Sequence, residues 1–336
     1  MLFMYVFSLH FDISDQFRYL LHSGHLLHLP MSSTNFTQLF FSTMNKACFS
    51  FLPLVLVFTS FLSAFSFTKI FLYVTSIDRK IGYGFAALMF LPSYFIFTSV
   101  PGKELLLQLF FTPIVLSILS YLTGNSQPNK FLTIICMAMV VWFKPIYIAP
   151  LLLSYGLVWL LNGRVLSIRI AADLKFLLLI FTIFLFLLLF WSFFNFYKLH
   201  VLDVAHKTFD VLGRTATHKG FVPDFLGYIN LTFSFINLTY GTDISGFPLW
   251  LCVMESAYLI GICLYYALIE YNVLKMPLVV VFASFFSIFV IAFFQLPYSL
   301  WNLGTALRYR CDIYLLFITW LLIPFLHIKY QKRIAE

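Results

Sequence analysis

Apolar residues are grouped in nine long runs, and the charged residues lie almost entirely in the gaps between them. A helix crosses the hydrocarbon of a bilayer with about 20 apolar residues and bonds its backbone polar groups internally. The pattern therefore predicts an all-α fold, a polytopic transmembrane helical bundle of about nine to ten spans that includes short broken helices. The predicted spans are 47–73, 81–99, 105–123, 131–143, 146–161, 176–197, 247–269, 277–295 and 313–327.

The gaps between the runs predict one integral membrane domain over residues 1–336, because no repeat of fixed period and no soluble linker interrupts the runs. Short loops that are dense in Lys and Arg are typical of the cytoplasmic side. We therefore expect the C-terminus in the cytoplasm and three larger extracytoplasmic loops, at about residues 12–46, 198–246 and 296–312. The cytoplasmic assignment rests on Arg79, Lys80, Lys130, Arg164, Arg169, Lys175, Lys275, Lys329, Lys332 and Arg333.

The composition agrees with a lipid solvent and excludes several functional classes. Hydrophobic residues make up 62% of the chain and charged residues 10%, whereas soluble domains carry about 25% charged residues. The net charge of +8 is dispersed among the spans, so nucleic-acid binding is not expected. The five cysteines show no CxxC spacing and the histidines no HExxH spacing, so we expect neither a metal nor any other cofactor.

The N-terminal apolar piece, residues 1–11, is too short to span a membrane and lacks the features of a signal peptide. We expect a start that truncates a first span, the alternative being a piece that lies at the interface. A polar group follows, in which helical spacing places Asp15, Arg18, Tyr19 and His22 on one face. Asp15 or Asp12 is a candidate general base at the membrane surface, and a capped helix with a surface ion pair is the alternative.

Ten basic residues fall in the predicted extracytoplasmic segments, as many as in the cytoplasmic loops. Long loops tolerate positive charge, which is one explanation. The other is an outward site for an anionic ligand. Lys103 is the clearest case: Pro101 and Gly102 end one helix, and Lys103 and Glu104 begin the next. Glu104 complements the positive end of that helix, whereas a cation there is useful where phosphate oxygens are held.

Lys144 and Pro145 split an apolar stretch of residues 131–161 into two pieces that are each short for a full crossing. The pair predicts either a shallow hairpin or a lysine inside the membrane near a cavity, and snorkelling to the interface is the alternative. One long tilted helix here would remove a crossing and invert the loops on one side of it. Arg308 and Arg310, before the last span, are either an interfacial belt or a phosphate-binding pair. Arg214 is a candidate in the loop 198–246.

These features together resemble the O-antigen polymerases and, more broadly, the membrane glycosyltransferases that use polyprenyl-linked sugars. The resemblance covers the layout of the whole chain and is carried by Asp15 with Tyr19, the Pro-Gly-Lys-Glu turn, the Lys144–Pro145 break, the outer loop and residues 304–310. Some of these polymerases carry an Arg, ten intervening residues and then a Gly in their outer loops; here Gly220 is too close to Arg214 and Gly227 too far from it. The polymerase subtype therefore stays open at this stage.

The resemblance implies a bacterial inner-membrane enzyme that extends polyprenyl-pyrophosphate-linked saccharides in surface polysaccharide synthesis. Its partners would be the lipid-linked saccharide, the bilayer and other assembly proteins such as a flippase and a chain-length regulator. Asp15 or Asp12 would deprotonate the acceptor, and the substrate-binding residues would be Lys103, Lys144, Arg214, Arg308, Arg310, Tyr19, Arg18 and His22. The alternative function is a flippase or secondary transporter of lipid-linked oligosaccharide.

Overall fold

The computed structural model describes residues 32–87, 91–123 and 129–148, together with positions 19, 20, 151, 152, 155 and 261. This part of the chain is helical, and no strand occurs within it. The helices of the three described segments are α1 (Ser33–Ala47), α2 (Leu52–Ile77), α3 (Arg79–Ala86), α4 (Pro92–Ser99), α5 (Lys103–Thr123) and α6 (Lys130–Phe143). Helices α2 and α5 are each long and apolar enough to cross a membrane. The predicted spans after residue 161 lie outside the described residues.

All but the last residue of helix α1 lies in the segment 12–46, where the sequence pattern predicts only a loop. The Ser32 hydroxyl caps this helix by accepting a hydrogen bond from the Asn35 N–H at 3.1 Å. Its buried side chains recur at helical spacing, although several of them are polar. Phe49 and Ser50 then adopt the left-handed conformation, with φ of 55° and 56°, and reverse the chain into α2.

Helices α3 and α4 together run antiparallel to α2 and form one broken helix. The predicted span 81–99 is therefore present as two eight-residue helices. The break precedes Pro92, because proline disfavours the helical conformation of the residue before it and Leu91 is extended. The antiparallel direction follows from the contacts, because later residues of α3 and α4 meet earlier residues of α2. The contacts pair Gly82 with Thr75, Phe85 with Phe67, Thr98 with Ser63 and Ser99 with Thr59.

Helix α5 runs parallel to α2. Gln108 bonds with Ser63 near the start of α5, and Thr123 bonds with Tyr73 through their hydroxyl oxygens, 2.7 Å apart, at its end. Two predicted runs are found as helices with small changes of boundary: 105–123 as α5, and 131–143 as α6, which is shorter than a full crossing. The predicted span 47–73 is found four to five residues later, as α2.

Helix α6 runs back along α5 but stops short of its beginning. The rings of Phe143, at the end of α6, and Phe110 are 5.7 Å apart. Phe110 lies seven residues after the start of α5, which is about 10 Å along the helix axis. A 3₁₀ turn, Pro145–Tyr147, follows α6. The Tyr147 ring packs against Phe111, with the ring centroids 5.2 Å apart, so the chain does not continue towards the start of α5. Residues 131–161 are therefore not one continuous helix.

Candidate anion-binding site

Lys103 is the first residue of α5, as the Pro-Gly break before it predicts. Its ammonium group donates hydrogen bonds to the hydroxyl oxygens of Thr34, at 2.8 Å, and Ser33, at 3.3 Å. Both residues belong to the first turn of α1. Thr34 is 69 residues from Lys103 in the sequence, and Ser33 is 70 residues from it. The contact therefore brings the beginnings of two helices together around one partly buried cation.

The electrostatics of this arrangement favour an anion. The N-terminus of a helix carries about half a positive charge, which arises from its free backbone N–H groups. Lys103 adds a full positive charge beside the first turns of both α1 and α5. Two helix N-termini and an ammonium group repel one another unless negative charge lies among them, and the buried Glu104 in the first turn of α5 supplies one such charge. A phosphate or carboxylate is the kind of group that such a position accommodates.

A third helix, α6, brings the backbone of Lys144 near the same turn of α1. Lys144 caps the C-terminal end of α6, where its N–H donates to the Val140 carbonyl at 2.9 Å. The last two side chains of α6, Trp142 and Phe143, pack edge-on against Phe36 at ring distances of 5.6 and 5.9 Å. Phe36 belongs to the first turn and a half of α1. The two lysines that the sequence predicts as separate ligands are thus both linked to one short segment, residues 33–36. Lys103 bonds to it directly, and Phe143, the residue before Lys144, packs on Phe36.

The two lysines stand at different depths. Because Phe143 packs level with Phe110, Lys144 lies about 9 Å further along the axis of α5 than Lys103 does. Lys144 is partly exposed. A ligand that touched both ammonium groups would therefore extend from the end of the bundle towards its middle. A pyrophosphate with its attached sugar or lipid has the length for such a position, whereas a single small anion does not.

Glu104 is an acidic residue of this site that the sequence reasoning treated only as a helix cap. Its side chain is 2% exposed and lies in the first turn of α5. A Cβ atom on Gly102 would lie 2.8 Å from Glu104 Oε2, so the carboxylate folds back into the space that glycine leaves. The Pro-Gly dipeptide was read as a helix breaker. Its glycine also makes room for a buried carboxylate next to Lys103.

Tyr19 is 2% exposed, so its side chain is packed in the core. The neighbouring carbonyl of Leu20 accepts a hydrogen bond from Asn45 Nδ2 at 3.4 Å. Among the described residues, no group of three His, Cys, Asp or Glu side chains is placed to hold a metal ion. The remaining predicted site residues lie outside the described residues: Asp12, Asp15, Arg18, His22, Arg214, Arg308 and Arg310.

Comparisons with known proteins add no assignment. No protein-family model matches the chain, and no curated protein or solved structure is significantly similar to it. Inferences about function therefore rest on the residues and on their geometry.

Proposed function

We propose that this protein is a polytopic membrane glycosyltransferase that acts on polyprenyl-pyrophosphate-linked saccharides, in the manner of a surface polysaccharide polymerase. The observation that carries the proposal is the pair of lysines around the first turn of α1. Lys103 bonds to Ser33 and Thr34, and the end of α6 at Lys144 packs on Phe36. In the described part of the chain two helices are long enough to cross a membrane: α5, which begins at Lys103, and α2, which contacts both α1 and α5.

The proposed substrate explains why cations lie at this end of an apolar bundle. A polyprenyl pyrophosphate places its charge at the membrane surface and its chain in the lipid. Lys103 and Lys144, spaced by about 9 Å along α5, bind the phosphates and the part of the ligand that reaches deeper. Phe36 and Trp142 are partly exposed and supply aromatic surface at this site, which suits the apolar face of a sugar ring, and the buried Phe143 packs against both.

The proposed reaction transfers the saccharide from its lipid carrier to an acceptor hydroxyl. The bond between the anomeric carbon and the pyrophosphate oxygen breaks, and a bond from the acceptor oxygen to that carbon forms. The leaving pyrophosphate gains negative charge, which Lys103 and Lys144 stabilise together with Arg308 and Arg310. Asp15 or Asp12 takes the acceptor proton, as the family resemblance implies.

The proposal is tested by the extension of lipid-linked saccharide in membranes from cells that carry only the variant protein. We expect Lys103→Met, Arg308→Ala and Arg310→Ala each to abolish extension while the membrane level of the protein is unchanged. Lys46→Met is the matched control, because Lys46 is exposed in the last turn of α1, away from Lys103. Wild-type chain lengths in the Lys103 and arginine variants would overturn the assignment.

A flippase or transporter of the same lipid-linked saccharide is the second candidate, and the depth of Lys144 favours it. A transporter needs charge inside the membrane along its path. The two functions differ in one measurement on sealed vesicles that contain the purified protein. A transferase lengthens the saccharide without moving it between leaflets, whereas a transporter moves the unchanged lipid to the other leaflet.

A further inference from the structure

Helix α2 has an exposed apolar face that no other element covers in the described part of the chain. Its members lie at helical spacing from residue 54 to residue 65 and again at residue 72, so they share one face of the helix. The stripe consists of Leu54, Val57, Phe58, Phe61, Phe65 and Leu72, and each of these side chains is more than a third exposed. Within the described segments this face of α2 meets no protein, so it is open to lipid when the bundle lies in a membrane.

Lys69 interrupts this stripe with a positive charge. Its side chain is exposed, and its ammonium group lies over the Phe65 ring, 5.0 Å from the ring centroid. No carboxylate among the described residues pairs with it. A lysine on a lipid-facing surface is costly unless it reaches the interface or meets an anion. The ring compensates only part of that cost, because a cation–π contact is weaker than a charge-assisted hydrogen bond.

Tyrosines indicate where the interface crosses this end of the bundle. Tyr73 OH bonds to the hydroxyl of Thr123, the last residue of α5. Tyr121, near the same end, is 47% exposed, and Tyr83, next to the Gly82–Thr75 contact, is 66% exposed. Exposed tyrosines at one level are typical of the boundary between hydrocarbon and headgroups. Lys69 lies one turn inside this level, about 6 Å from Tyr73 along the helix.

We propose that Lys69 binds the phosphate of an anionic phospholipid whose acyl chains lie along the stripe on α2. A lysine one turn below the boundary extends its ammonium group to the phosphate level while its stem stays against apolar surface. Arg79 and Lys80, both exposed at the tip of the α2–α3 hairpin, add positive potential for an anionic headgroup. The acidic residue at this tip, Asp78, is occupied in part by capping the Ile81 N–H at 3.0 Å.

The proposed occupant is a lipid and not a free phosphate, because Lys69 lies on the same face of α2 as the apolar stripe. An inorganic ion would gain nothing from Phe61, Phe65 and Leu72. This inference rests on the membrane placement in the proposed function but not on the transferase chemistry. The proposed lipid site on α2 can therefore be tested separately from the proposed phosphate site at Lys103.

The test is native mass spectrometry of the purified full chain in detergent, with phosphatidylglycerol or phosphatidylcholine added at equal concentration. We expect the wild type to retain phosphatidylglycerol preferentially and Lys69→Met to lower that retention about five-fold, the effect of one lysine at a charged membrane surface. Lys69→Arg keeps the charge and should retain the lipid. Lys130→Met is the control, because Lys130 is also exposed and begins the helix that follows α5.

Three results would overturn the proposal. The first is equal phosphatidylglycerol retention by Lys69→Met and the wild type, when thermal unfolding curves show that both proteins are folded. The second is an equal loss in Lys130→Met, which would mean that only overall charge matters. The third is displacement of the lipid by millimolar inorganic phosphate, which would indicate a site for the free ion. Lys103→Met should leave lipid retention unchanged, and Lys69→Met should leave saccharide extension unchanged, so the two proposals fail separately.

Discussion

Ser63 and Gln108 exchange two hydrogen bonds across the interface between α2 and α5. The Ser63 hydroxyl donates to Gln108 Oε1 at 3.1 Å, and Gln108 Nε2 donates to the Ser63 carbonyl at 3.1 Å. Polar contacts continue on both sides of this pair, from Thr59 with the Ser99 carbonyl at 2.6 Å to Ser66 with Thr112. All these groups are buried. In an apolar bundle they determine which faces meet, because apolar side chains pack against lipid nearly as well as against each other.

Gln108→Leu should destabilise the bundle by about 1 kcal/mol, the typical value of an interhelical hydrogen bond in a membrane protein. The substitution keeps the volume but removes both bonds to Ser63. Thermal unfolding in detergent measures the effect as a lower Tm. Thr68→Val is the control, because the exposed Thr68 hydroxyl bonds only within its own helix, to the Ala64 carbonyl. Equal Tm values for Gln108→Leu and the wild type would show that the pair contributes nothing.

Gly82→Ala should destabilise the α2–α3 hairpin by about 1–3 kcal/mol, the usual cost of overpacking. A Cβ atom at Gly82 would overlap Thr75 Oγ1 and lie 3.0 Å from the Thr75 Cα atom. Thr75→Ala should cost little by itself, because its buried hydroxyl has no hydrogen-bond partner. The double variant should then regain part of the lost stability. A double-mutant cycle by thermal unfolding measures this coupling, and purely additive losses would contradict the close packing.

Asn129→Ala should lower stability by about 1 kcal/mol through loss of a helix cap. The Asn129 side chain accepts hydrogen bonds from the backbone N–H groups of Phe131 and Leu132, at 3.1 and 3.2 Å. Asn129→Asp retains an acceptor beside the positive helix end, so we expect it to keep the wild-type Tm. If the alanine and aspartate variants unfold at the same temperature, the side-chain cap is not responsible.

Local sequence rules predicted those parts of the fold that depend on a single segment. The start of α5 at Lys103 follows from the Pro-Gly dipeptide before it, and the end of α6 at Phe143 follows from Lys144 and Pro145. The break inside residues 81–99 also has a local cause, at Pro92, but the apolar run conceals it. The number of spans beyond α6 remains a prediction.

The site depended on contacts that no local rule encodes. The sequence pattern predicts a loop where α1 lies, because the Thr, Asn and Gln residues of this helix interrupt the apolar length that a span needs. Its capping serine, Ser32, was the available signal. The bond from Lys103 to Thr34 joins residues 69 positions apart, and it exists only once α1 folds back against α5. Lys103 and Lys144 were predicted as ligands one by one, whereas their shared relation to Phe36 is a property of the packing.

Binding of farnesyl pyrophosphate to the purified protein is the decisive measurement for a phosphate site, with farnesol as the uncharged control ligand. We expect saturable binding of the pyrophosphate alone. We also expect a loss of affinity of about ten-fold or more in Lys103→Met and in Lys144→Met, the size of a lost charge-assisted hydrogen bond. Lys103→Arg should bind, and Lys46→Met should match the wild type. Equal affinity in all variants, or equal binding of farnesol, would contradict a phosphate site at the first turn of α1.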